Sequence, residues 1–232
     1  MLNRCSGWLP LWRRGCVQAR HFAVKSVRVR QHVNPLAQRY QEPIDLPTWT
    51  SIFSTESRRL HLDIGCARAQ YLLQLAARDP ARCFLGVEIR EPLVHEAVAR
   101  VQEQQLQNAH IIHANMNVHL GAIMQFLAPE YTVESVSIFH PDPWMKKRHV
   151  KRRLVNAEFV DALAMHLPTS TPVYLQTDVL DLFEYMLEIF HACPRYVDEG
   201  PSAENAMGIP TDRERYVVDE GGDIYRTTLR TK

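Results

Sequence analysis

The chain is short of four things, and each shortage removes a class of protein. It has five cysteines in 232 residues, at 5, 16, 66, 83 and 193, with no CxxC pair. An odd number at wide spacing argues against a disulfide framework and against a zinc site. No apolar run approaches the roughly 18 residues that a membrane helix needs. There is no internal repeat and no low-complexity linker. Acid is missing from the first 41 residues, which carry eight Lys or Arg before Glu42.

That acid-free leader mixes Arg4, Arg13, Arg14, Arg20 and Lys25 with Leu, Trp, Val and Ala. Such a composition resembles an organelle transit peptide, expected over residues 1–26 with cleavage near Arg20–Val24. A basic arm that itself binds RNA is the alternative. Without residues 1–25 the chain loses five positive charges, and its net charge goes from +1 to −4. A polyanion would then have to be caught by a local patch rather than by overall charge.

What is present is regular. The hydrophobic fraction of 46% supports a sizeable core. From residue 60, short apolar runs alternate with amphipathic stretches. Strands are predicted at 60–65, 83–89, 110–114, 133–139 and 172–178. Helices are predicted at 69–78, 91–107, 118–127, 154–167 and 179–193. This β-α-β-α alternation predicts an α/β fold, a doubly wound and mostly parallel sheet in a single domain over residues 27–232. Residues 194–213, rich in Pro, Glu, Ser and Gly, read as a long loop, with a last strand near 223–229.

Two strand ends carry candidate chemistry. The first strand runs into Asp63-Ile64-Gly65, and the second ends in Glu88, 23 residues after Gly65. A glycine turn followed by an acid at the next strand tip is how doubly wound folds hold an adenosine ribose. Ala67 stands where the dinucleotide fingerprint needs its second glycine, so a pyrophosphate fits poorly. S-adenosylmethionine, a nucleoside without phosphates, fits better. Asn115, past the third strand, can offer an amide to an adenine edge. Each acid alone reads equally as a cap or turn residue, and Asn115 reads more readily as one.

The fourth strand runs into residues 140–153, HPDPWMKKRHVKRR. Asp142 stands between two prolines beside Trp144. Six cations follow within eight residues: Lys146, Lys147, Arg148, Lys151, Arg152 and Arg153. An acid held at a strand end beside a dense basic run points to chemistry on a nucleotide. A solvated face and turn punctuation are the bland alternatives.

These blocks are similar to those of the TrmB-type tRNA (guanine-N7-)-methyltransferases, and within them the cyanobacterial and plastid branch. The resemblance runs from 27 to 230. It rests on VRVRQHVNPLAQRYQEP, LHLDIGCARAQYLLQLA, FLGVEIREPLV, PDPWMKKRHVKRRLV, LQTDV and PTDRE. It implies a Rossmann-like class I S-adenosylmethionine-dependent methyltransferase acting on guanosine N7 in the tRNA variable loop, at position 46. By position, Asp63, Gly65, Glu88 and Asn115 would hold S-adenosylmethionine. Asp142 would be the catalytic acid and also touch the cofactor. Lys146 and Asp178 would contact tRNA, and Thr211 and Glu214 would close over the target base. No metal and no membrane are implied. Monomer, homodimer and a partner subunit all stay open, and plastid stands ahead of mitochondrion.

The departures are Ala69, usually glycine in the family, and Ala67, often glycine there. Alanine at a positive φ would strain the loop and weaken the cofactor site. His140 replaces a common Phe or Gln and receives no role. Thr211 and Glu214 also read as a helix capping box. The competing functional readings are a methyltransferase of another RNA and a non-catalytic RNA-binding relative with a decayed cofactor loop.

Overall fold

The computed structural model describes residues 28–46 and 52–232, so the expected leader lies outside the described residues. Strands β1 (Arg59–Ile64), β2 (Cys83–Glu88), β3 (Ala109–His113), β4 (Thr132–Phe139) and β5 (Pro172–Thr177) run parallel. With β6 (Tyr196–Pro201) and β7 (Tyr225–Thr231) they form a seven-stranded sheet in the order β3-β2-β1-β4-β5-β7-β6. Only β7 runs against its neighbours.

The parallel strands are buried on both faces, β2 as a near-continuous apolar run and β1 with His61 and Asp63 buried among its apolar residues. Helices α1 (Gln70–Arg78) and α2 (Glu91–Glu103) cover one face, over a core that includes Leu72, Leu75, Phe84, Ala97 and Ile111. Helices α3 (Met116–Leu127), α4 (Ala157–His166) and α5 (Leu180–Ala192) cover the other, with Leu62, Ile123, Val136, Phe159 and Met186 beneath them. Gly86 sets the spacing on the first face. A Cβ there would meet Cys66 Sγ at 2.7 Å and Ile111 Cδ1 at 2.9 Å, so α1 and its loop could not sit so close to β2.

Chain order reverses between β1 and β4, and there the helices diverge to opposite faces. The crevice at the carboxyl ends of those two strands is the topological switch point, the place where such sheets bind ligands.

Three expectations need adjusting. The segment 194–213 is not one loop, because it contains β6, an edge strand paired to β7. A short helix, α6 (Asp212–Asp219), follows it, started by a full Thr211–Glu214 capping box. Helix α2 stops at Glu103 rather than 107, where Gln105 turns to a φ of 53°.

Candidate active site

Two adjoining cavities open at the switch point, of about 120 Å³ and about 470 Å³. Gly65, Arg90, Phe139, His140, Pro141 and Asp142 line both. The smaller one continues past Glu88, Ile89, Asn115 and Trp144. The larger continues past Asp63, Ala67, Tyr71, Asp178, Thr211 and Arg213. Seven of the nine expected site residues therefore meet around one crevice: Asp63, Gly65, Glu88, Asn115, Asp142, Asp178 and Thr211. Lys146 and Glu214 line neither cavity.

The loop after β1 is strained. Gly65 has a φ of 85°, and Ala67 and Ala69 have φ of 50° and 55°. Left-handed backbone costs a residue with a Cβ about 1 kcal/mol. Something must hold the loop in place. The Glu88 carboxylate accepts from the Ala67 N–H at 3.0 Å. Arg68 pairs with Glu96, which is also bound by Arg100 at 2.8 Å, and this ties the loop to α2. His140 and Trp144 add φ of 49° and 41°, so strained backbone gathers around the crevice.

Asp63 is 3% exposed. The β1–β4 register sets Ser137 opposite it, and Ser137 donates to its Oδ1 at 2.6 Å. Burial pushes the Asp63 carboxyl up to about 7, with the Ser137 bond opposing and the nearby Glu88 charge adding. Behind Ser137 lies His61, fully buried between Ser137 Oγ (3.1 Å) and Ser135 Oγ (2.8 Å). Because Ser137 gives its proton to Asp63, it accepts from His61 Nε2–H, and Nδ1 accepts from Ser135. Burial, helped by the Arg82 charge, lowers His61 to about 3 and keeps it neutral.

Glu88 is 2% exposed and fully engaged. Arg90 binds it through Nε (2.9 Å) and Nη2 (3.0 Å), and the Arg90 N–H adds a bond of 2.8 Å. A ribose hydroxyl donating to Glu88 must displace one of these donors. Asn115 caps α3 by accepting from the Asn117 N–H. Its amide donates to the carbonyls of Pro35 and Tyr40 at 3.0 and 3.2 Å, so it is spent on the N-terminal segment rather than left for a ligand. That segment crosses the crevice. His119 donates to the Glu42 carbonyl, Arg90 to that of Gln31, and His32 Nδ1 lies 2.7 Å from Asp142 Oδ1. Asp142 is half-buried. Burial raises its carboxyl above the usual range, and the His32 bond and the Arg90 charge oppose this.

Asp178 behaves in the opposite way. Its burial is outweighed by hydrogen bonds from Arg213 and His140, and its carboxyl lies below the usual range. Glu214 is buried behind it, accepting from Gln176, Asn205 and Arg226 and from the Thr211 N–H. The basic run forms a 3-10 helix, Lys147–Arg152. Lys146, Lys147, Arg148 and Lys151 are exposed, but Arg153 is buried, with Nε on the Pro143 carbonyl and its guanidinium over Tyr185. Arg152 lies over the Trp144 ring at 4.9 Å. The cationic face therefore has four exposed charges rather than the six counted in sequence, and one face of Trp144 is covered.

Arg90, His32, His61, His140 and Arg213 carry no local signal that marks them as site residues. Only Arg90, two positions after an acid at a strand tip, sits where a partner search would have looked.

The sheet order with a reversed seventh strand, a glycine turn after β1 and acids at the ends of β1, β2 and β5 define a class I S-adenosylmethionine-dependent methyltransferase. Solved structures agree on the fold. The 16S rRNA methyltransferase KamB superposes with a TM-score of 0.56 at 11% identity, covering 76% of this chain and 89% of that one. An antibiotic-related methyltransferase gives 0.54 at 14%, covering 83% and 97%. A family model described as a putative methyltransferase matches residues 57–227. The chain is 46% identical over 204 residues to the tRNA (guanine-N(7)-)-methyltransferase of Synechococcus elongatus, covering 86% of this chain and 94% of that protein. It is 43% identical to that of Microcystis aeruginosa, covering 89% and 99%. The chain belongs to the tRNA (guanine-N(7)-)-methyltransferase family.

Proposed function

We propose that this protein transfers a methyl group from S-adenosylmethionine to N7 of guanosine in tRNA, at position 46 in the variable loop. The observation that carries the reading is the shared crevice. Glu88 lines its smaller part, Asp63, Asp178 and Thr211 line its larger part, and Asp142 belongs to both cavities. The donor set suits the cofactor. Asp63 is a buried carboxylate with Ser137 as its one side-chain donor among the described residues, and it favours a cationic, hydrogen-donating ligand. Asp63, Gly65 and Glu88 would hold the cofactor, with Asn115 supporting the wall through Pro35 and Tyr40. When bound, S-adenosylmethionine supplies an electrophilic methyl group on a sulfonium.

Guanine N7 carries a free lone pair and needs no base to remove a proton before it attacks. The residues therefore align and stabilise rather than deprotonate. Asp142 stabilises the positive charge that methylation leaves on the purine. The exposed Lys146, Lys147, Arg148 and Lys151 neutralise tRNA phosphates and set its approach. The target base leaves its stack to reach the crevice, where Asp178 and Thr211 receive it. Glu214 acts from behind as the anchor of α6. The cyanobacterial relatives and the Arg-rich, acid-free residues 1–26 support delivery to a plastid. We take the working form to be a monomer or homodimer.

The test is transfer of labelled methyl from S-adenosylmethionine to unmodified tRNA by the full chain, then chemical cleavage at 7-methylguanosine. A cut in the variable loop, absent with Asp142→Ala, is the expected result. Tight tRNA binding without transfer would move the reading to a binding protein with a strained, inactive cofactor loop.

A further inference from the structure

His140 lines both cavities, yet the mechanism above leaves it without a task. Its ring is 10% exposed and bonded at both nitrogens. Nδ1 lies 2.9 Å from Asp178 Oδ1, and Nε2 lies 3.0 Å from Gln176 Nε2. Gln176 decides which way these bonds run. Its Oε1 accepts from Arg226 Nε at 2.8 Å, so its hydrogens sit on the other side of the amide. They go to Glu214 Oε2 at 2.9 Å and to His140 Nε2. Nε2 therefore accepts, and the neutral ring carries its proton on Nδ1 and gives it to Asp178.

The other oxygen of Asp178 takes Arg213 Nη2 at 2.5 Å. The two partners of Asp178 differ in freedom. His140 is locked from behind by a chain that runs through Gln176 to Glu214 and Arg226. Arg213 stands on the first turn of α6 with its side chain 50% exposed. A donor arriving from the cavity displaces Arg213 and leaves His140 in place. The N1–H and exocyclic amine of guanine lie on a guanidine-shaped edge, and an N–H from it can take the place that Arg213 Nη2 holds on Oδ2.

We propose that His140 is a positioning residue for the target base: it holds one oxygen of Asp178 in a fixed orientation and leaves the other to exchange between Arg213 and the N–H donors of the base. This rests on the nucleobase-methylating reading above. It assigns a task to a cavity-lining residue held at a φ of 49°.

Two substitutions in the full chain test it. His140→Phe keeps a flat ring but removes the donor. His140→Asn supplies an amide N–H near the place of Nδ1–H, and Asn tolerates left-handed backbone well. With unmodified tRNA, His140→Phe should raise KM for tRNA about tenfold, the worth of one charge-assisted hydrogen bond. Cofactor affinity by calorimetry should stay within about twofold, and His140→Asn should recover most of the loss. An unchanged KM in His140→Phe, an equal loss of cofactor affinity, or an Asn variant as poor as the Phe variant would each overturn the proposal. In the wild type, imidazole ¹⁵N resonances should report a neutral ring protonated at Nδ1, and a ring protonated at Nε2 would overturn it without any variant. If the wild type transfers no methyl to tRNA, the parent reading fails and takes this one with it. An active wild type with an unaffected His140→Phe sinks this inference alone.

Discussion

Asp63 and Asp178 stand at the ends of β1 and β5, face the same crevice, and lie on opposite sides of the ordinary carboxylate pKa. Asp63 is more deeply buried and receives one hydroxyl bond, so desolvation wins and its carboxyl rises to about 7. Asp178 is also desolvated but receives Arg213 and His140, so its bonds win and its carboxyl falls. Depth of burial and the number of donors together set the sign. On the proposed function, Asp63 would receive the cationic cofactor, and a ligand at Asp178 would exchange for the cation already there.

The stability effects run in opposite directions. For Asp63 the folded state holds a proton that the unfolded chain has lost, so its contribution falls as pH rises from about 4 to about 7. For Asp178 the lowered value gives a contribution that is present above the ordinary carboxylate range and is lost as pH falls through the folded value.

The largest expected effect concerns the acid between the two. Asp142→Asn should lower kcat by roughly 10²–10³-fold, read by initial rates at saturating tRNA, with the melting temperature little changed. Log kcat for the wild type should be flat through neutral pH and fall on the acid side, at a pH above that of an ordinary aspartate, because burial raises the Asp142 carboxyl. A rate that tracked a base ionising near neutrality would sink the electrostatic role.

Next comes Asp63→Asn. It should weaken S-adenosylmethionine by roughly 10–100-fold in calorimetry while raising the melting temperature, since a desolvated charge is removed. Loss of both stability and affinity would break the comparison, because it would mean Asp63 is already well paired. In the wild type, cofactor binding below about pH 7 should release a proton and weaken as pH falls, since the bound cation favours the ionised carboxylate. Calorimetry in two buffers of different ionisation enthalpy reads that proton directly.

On the other side, Asp178→Asn should raise KM for tRNA about tenfold and leave cofactor affinity unchanged. Salt should weaken tRNA binding with a log–log slope set by at most about four phosphates from the basic run, with charge reversal at Lys147 or Arg148 reducing it by about one. The smallest effect is Ala67→Gly. Relief of left-handed strain, offset by unfolded-state entropy, should stabilise the chain by about 0.5 kcal/mol in denaturant titration.

How much of this was legible is clearest from the segments before and after the end of α5. From β1 to α5 each element announces itself locally. Leu60, Leu62 and Ile64, or Phe183, Met186 and Phe190, recur at the spacing of the element that buries them. The segment after α5 does not. β6 reads Tyr-Val-Asp-Glu-Gly-Pro, polar and broken by Gly200 and Pro201, because it is an edge strand whose alternate side chains face water. Its partner β7 makes it a strand, and no pattern within 196–201 says so. The Thr211–Glu214 pair was open to two readings, and the structure shows the capping box outright, with Glu214 off the cavity wall.

The sequence by itself determined the parallel α/β sheet, the family, and the carboxylates that end β1, β2 and β5, because these depend on local periodicity and on motifs of a few residues. Tertiary structure decided what those carboxylates are. It joined Asp63 to His61 through Ser137 across two strands, neutralised Glu88 with Arg90, laid His32 on Asp142, and gave Asp178 two donors from different elements. A pKa or a tautomer is set by burial and by partners within about 3 Å, and such partners here lie up to 110 residues apart along the chain.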